Sequence, residues 1–266
     1  MANPLYLFGA GTAWGTQKTD SQGNTITNPP PMLIAGIQDI NIDVSSDMKE
    51  AYGQNSFALV AARGKQKISV KIKNLQVHGR LWNAFYFGQT LTSGIYEAVY
   101  DTTGIAIPAT PFTVTVSSTA ADATHVQIPN SGTYGYNLGV RDSNGLPYVR
   151  VASGPTTGQY SLSGGVYTFA AADVTKVVYI DYNYTATSTV AQQLVVQNQL
   201  MGQSPYFQLD VKIPSPLGGS VNYTFPNCVT TKLGVATKLD DYVYPELDIQ
   251  VFAPGGVSPM TITWSN

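Results

Sequence analysis

Asp39, Asn41, Asp43, Ser45, Asp47 and Glu50 stand at the spacing of the oxygen ligands of a calcium-binding loop, closing glutamate included. Such a loop turns sharply on a glycine at its sixth position. Here that position is Val44, a β-branched residue that resists the turn. Ile40, Ile42 and Val44 alternate with the polar residues, which is the period of a strand, so the oxygens are expected to run along one side of an extended chain. GAGTAWG, residues 9–15, looks like a dinucleotide-binding turn, but that turn must open a helix, and a polar, proline-terminated stretch follows it. The two histidines, His78 and His125, have no second ligand-like residue at metal spacing. Asp240, Asp241, Glu246 and Asp248 could supply an acid and a base for glycoside hydrolysis, though a turn and an alternating strand make a solvated edge the simpler reading. Tyr134, Tyr136, Tyr148, Tyr160, Tyr167, Tyr179, Tyr182 and Tyr184 offer rings on which a sugar could stack, or simply strand residues bridging core and water. NYT triplets begin at Asn183 and Asn222. No catalytic residue, metal site or cofactor is expected from these patterns.

The bulk of the chain narrows the classes further. Only 11% of the 266 residues are charged, and the net charge is −2. Soluble domains usually carry roughly 25% charged residues, so this surface is polar but weakly charged. A binder of nucleic acid needs a basic stripe to neutralise phosphate, and none is present. Sparse charge also lowers repulsion between copies, which favours homotypic assembly. Cys228 is the sole cysteine, so stability must come from packing. The opening residues show no basic segment followed by a long apolar run, and no stretch reaches the roughly 18 apolar residues of a membrane span. A product made in the cytoplasm, with no membrane insertion, is the expectation.

The elements that must position these residues are mostly strands. Alternation marks residues 40–45, 67–73, 207–213 and 246–251, each expected to bury one face. Between Val77 and Phe87 the apolar residues change to helical spacing, and Gly88 follows where a left-handed cap would stop a helix of about three turns lying on the sheet. Turn signals at Asn144–Gly145 and Gly164–Gly165 predict hairpins, and VVYIDYNYT predicts another strand. The change of texture from Thr92 to Thr187 predicts an inserted β-module, 92–187, within a core built from 1–91 and 188–266. The stretch between Ser45 and Lys65, rich in charge for this chain, reads as a long connecting loop with a short strand near Phe57 to Ala62. The fold class expected is therefore all-β with one short helix.

GIQDINIDVSSDMKEAYGQNSFALVAARGKQKISVKIKNLQVHGRLWNAFYFG, Gly36 to Gly88, resembles the N-terminal half of phage major tail tube proteins. It presents a strand, a long charged loop, a basic strand after an Ala-Arg-Gly step, and a short aromatic helix. VTTKLGVATKLDDYVYPELDIQVFAPGG, Val229 to Gly256, is similar to the closing strands of that family. The resemblance implies a β-sandwich flanked by a helix, hexameric rings, and stacking of rings into a hollow tube through which double-stranded DNA passes without specific binding. It also implies a virion location and, as partners, other copies of the chain with tail terminator, tape-measure and baseplate or tip proteins. The loop carried over is Asp47 to Arg63, with Asp47, Lys49, Glu50 and Arg63 as contacts to a neighbouring subunit or ring. Strand alternation then suggests a channel lining of Asp39, Asn41, Asp43, Lys71, Asp210 and Asp248, with Gln208 and Gln250 beside them and Lys67, Lys71 and Lys73 balanced by carboxylates on adjacent strands. A carbohydrate-binding or host-attachment module built on the tyrosine-rich insert is the second class, and a hydrolase using Asp240 and Asp241 the third.

Overall fold

A computed structural model describes residues 5–54, 56–74, 76, 78–198, 200–237 and 239–265. The chain is mostly β, with several antiparallel sheets and one short helix. In order come β1 (Thr12–Gln17), β2 (Met32–Ile34), β3 (Ile37–Tyr52), β4 (Ala58–Asn74), the helix α1 (Gly79–Trp82) and β5 (Leu91–Ser93). There follow β6 (Ile95–Val99), β7 (Ile105–Ala106), β8 (Thr113–Ser117), β9 (His125–Gln127), β10 (Thr133–Asp142), β11 (Val149–Arg150), β12 (Gln159–Ser163), β13 (Val166–Phe169) and β14 (Val177–Ala186). The last are β15 (Gln192–Leu194), β16 (Phe207–Pro214), β17 (Ser220–Gly234), β18 (Glu246–Val251) and β19 (Thr261–Ser265). Contacts divide the chain into two compact units, Met1–Leu91 with Leu194–Asn266, and Thr92–Gln193. β5 and β15, where the chain passes from one unit to the other and back, pair with each other.

The first unit is built on one sheet in the order β2-β1-β16-β17-β18-β4-β3, with β19 also on β17. Alternation places Ala13, Val70, Ile72, Leu209, Val211, Leu247 and Ile249 on one face, where they are buried together. Burial of such side chains stabilises a domain by about 25 cal/mol per Å² of apolar surface removed from water. Leu81, Ala84 and Phe85 of the helical segment close this core. The helix is shorter than the sequence predicts, and Val77, its expected first residue, lies outside the described residues. His78 caps it instead, its ring nitrogen Nδ1 accepting the N–H of Leu81. After one turn the chain widens into a π turn, Asn83–Phe87, and Gly88 ends it at φ 62°, a left-handed conformation that glycine adopts without steric cost. Gly15 of β1 makes room for the helix: a Cβ there would lie 2.1 Å from the Phe85 ring.

The second unit packs two sheets, β10-β14-β6 with β7 beside β14, and β11-β12-β13-β8-β9. Val140, Val178, Ile180 and Tyr182 from one meet Val114, Val116, Tyr160 and Phe169 from the other. β12 and β13 join at Gly164 and Gly165, both at positive φ. At Asn144–Gly145 the chain also turns back, Asp142 Oδ1 accepting the N–H groups of Asn144 and Leu146, both at 2.8 Å. The return strand then leaves its expected partner: β11 runs parallel to β12 in the other sheet.

Candidate functional site

The region from Asp47 to Arg63 is not a loop. β3 and β4 run for 16 and 17 residues as one antiparallel hairpin, paired from Ile37 with Asn74 out to Tyr52 with Ala58. Only residues 53–57 separate the two strands. The loop expectation failed because charge was read as a sign of irregular structure, whereas a strand solvated on both faces accepts charge as readily as a loop does. Met48 opposes Arg63, Lys49 opposes Ala62 and Glu50 opposes Ala61, while Asp47 sits at a register shift between Ser46 and Met48. All four predicted contact residues therefore lie on the outer hairpin, and all are exposed. The Tyr52 hydroxyl donates to Glu50 on the same arm, a bond that raises the phenol's pKa.

Apolar side chains accompany them. Phe57 is 84% exposed and Leu59 67%, and Val44, Met48, Tyr52 and Val60 are exposed as well. From Ser45 and Lys67 outward, β3 and β4 pair only with each other among the described residues, and a two-stranded ribbon alone is marginal in water. Exposed apolar side chains gathered on one projecting element are the kind of surface that marks an interaction site. Sequence reasoning missed Phe57, Leu59 and Val60 as surface features; the apolar run FALVAA, with no polar face of its own, was their only signal.

The second cluster is the face of the sheet opposite the core. Register places Asp39 beside Lys73 and Lys73 beside Glu246, and in the next row Asn41 beside Lys71, Lys71 beside Asp248 and Asp248 beside Lys232. Asp43 follows, beside Ser69, which neighbours Gln250. Across β17, Asp210 faces Thr224 on one side and Trp14 on the other. All six predicted channel residues thus share one face of one sheet. Asp39, Asn41, Asp43 and Lys71 are exposed, and Asp210 and Asp248 half-buried. Acids and lysines alternate across the strands. Lys232 Nζ lies 3.4 Å from Glu246, and Lys71 Nζ lies 3.9 Å from Asp248, an electrostatic contact beyond hydrogen-bond reach. Asp210 is held by Thr224 Oγ1 at 2.8 Å and by the Gln208 amide at 2.9 Å.

The competing chemistries are placed differently. The calcium-like series runs along β3, where residues 39, 41, 43 and 45 project from one side of an extended strand and cannot converge. Gly9 and Gly11 precede β1, not a helix. Glu246 and Asp248 are neighbours of lysines, and Asp240 and Asp241 are exposed. Among the eight tyrosines, Tyr160, Tyr167, Tyr182 and Tyr184 are buried in the core of the second unit and hold it with hydroxyl contacts such as Asn137 Nδ2 to Tyr160 at 2.8 Å. They are not a stacking face. Asn183 of the first NYT triplet is buried too. No helix among the described residues is long and apolar enough to cross a membrane. No protein-family model matches the chain, and no curated protein matches it.

Proposed function

We propose that the chain is a non-enzymatic structural subunit of a phage virion, a tail tube protein whose copies close into hexameric rings and stack into a channel for the genome. The observation that carries this reading is the β3–β4 arm: a long ribbon with exposed apolar side chains, projecting from a sheet whose edge strand β3 has one side unpaired among the described residues. An edge strand with a free side and an uncovered apolar arm both invite a partner. In a chain with few charges an identical copy is the simplest one, and a heterologous contact repeated around a ring closes on itself. The polar face then supplies a wall of alternating acids and lysines, along which DNA meets no net basic track and moves without adhering. Terminator, tape-measure and baseplate or tip proteins follow as partners from the resemblance, and the virion as location.

Electron microscopy of the purified chain tests this directly, with rings or tubes expected. Replacing Phe57 and Leu59 together by aspartate should leave a folded chain, because neither side chain belongs to a core, and should abolish the assemblies. Sedimentation velocity would read the loss; tubes of unchanged length in the double variant would remove the arm from the proposal.

A further inference from the structure

We infer that the second unit carries a binding groove for a neutral saccharide, formed between the segment after β6 and the segment around β9. The groove measures about 490 Å³, within the range of sites that enclose small molecules. Its walls include Tyr100, Thr103, His125, Gln127 and Tyr182.

Tyr100 is the first element of the argument. The residue is 70% exposed, yet its ring is held in place. The Arg141 guanidinium lies 4.2 Å from its centroid and 4.8 Å from that of Tyr179. Arg141 is in turn held by Asp181, Nε to Oδ2 at 3.3 Å, and donates to the backbone carbonyl of Asp101. One face of Tyr100 is thus occupied by a fixed cation while the ring stays largely open to solvent. An aromatic platform immobilised before the ligand arrives spares the ordering cost of binding.

The polar groups give the second element. The Asp101 carboxylate is consumed by the N–H groups of Thr103, Gly104 and Ile180 at 2.9, 3.0 and 3.0 Å, so it shapes the loop and presents no open charge. Asp122 is likewise engaged, by the N–H and hydroxyl of Thr124 and by His125 Nδ1 at 2.9 Å, bonds that hold its carboxyl well below the usual range. With Nδ1 engaged by Asp122, the other ring nitrogen of His125, Nε2, is left for a further hydrogen bond. What the groove offers is therefore a ring face with hydroxyl, amide and imidazole groups, its two carboxylates already engaged by hydrogen bonds. Phosphates and other anions would find no cation to pair with here, because Arg141 is already committed. Polyhydroxylated neutral rings match both features, apolar faces for the tyrosine and hydroxyls for the rim. This inference rests on the second unit alone and is independent of whether the chain forms tubes.

Isothermal titration calorimetry of the full chain with maltotriose and with triacetylchitotriose, each at millimolar concentration, tests it, with inorganic phosphate as the anionic control. Saturable binding of at least one sugar at one site per chain is expected, with none for phosphate. Tyr100→Ala should weaken it by roughly two- to tenfold, the value of a lost aromatic contact. Because that change also releases Arg141, Gln127→Ala provides a second variant on an exposed side chain that supports no core, and it too should weaken binding. No saturable heat from either sugar, binding of phosphate in the sugars' place, or affinity unchanged in both variants would overturn the proposal.

Discussion

Individual residues on the polar face act by sign more than by strength. Exposed ion pairs such as Lys232 with Glu246 contribute on the order of 0–1 kcal/mol each, so the fold does not depend on them. On the proposed channel reading, their alternation matters for how DNA meets the face. Replacing Asp39 and Asp43 by lysine would add cations beside Lys73 and Ser69, flanking Lys71, and leave a basic track along β3 and β4. We expect assembly to be unaffected, since both side chains are exposed, and genome delivery to slow, with the delay relieved by added salt as phosphate contacts are screened. Ejection rates of phage carrying the variant would measure this, and unchanged delivery would place these residues away from the channel. That the six residues share a face was legible in the sequence, because a period of two leaves little choice. The fate of the tyrosines was not. A tyrosine serves either side of a strand, and only the partner sheet decided that Tyr160, Tyr167, Tyr182 and Tyr184 lie inside.

Elements are positioned by a few close approaches. The helical segment seats Phe85 on the bare backbone of Gly15, and Gly88 stops it with its own Cα hydrogen directed toward Ser21, where a Cβ would come within 2.6 Å of the backbone nitrogen. Gly15→Ala should therefore push the ring off its seat and destabilise the chain by about 1–3 kcal/mol, the usual cost of overfilling a packed contact. Urea denaturation would register it as a lower midpoint. Gly88 announced the end of this helix in the sequence, whereas its beginning depended on a histidine cap and a π turn that periodicity does not encode. The β3–β4 arm was hidden for another reason. Its charges and glycines resemble a loop, and pairing over so many residues is visible only once both strands are laid together.

At the scale of the molecule, the two units have separate cores, one closed by the aromatic helix and the other by paired sheets. Nothing in the first core is drawn from residues 94–191. A chain lacking those residues, joined by a short flexible linker, should keep the first unit folded and still form tubes; circular dichroism and electron microscopy would check both, and loss of folding would show that the cores are interdependent. The ladder of β5 with β15 gives this arrangement a practical consequence. Two chain ends held side by side form a socket, into which a foreign domain with neighbouring termini can be spliced, so each copy of the chain could carry a fluorescent or affinity cargo.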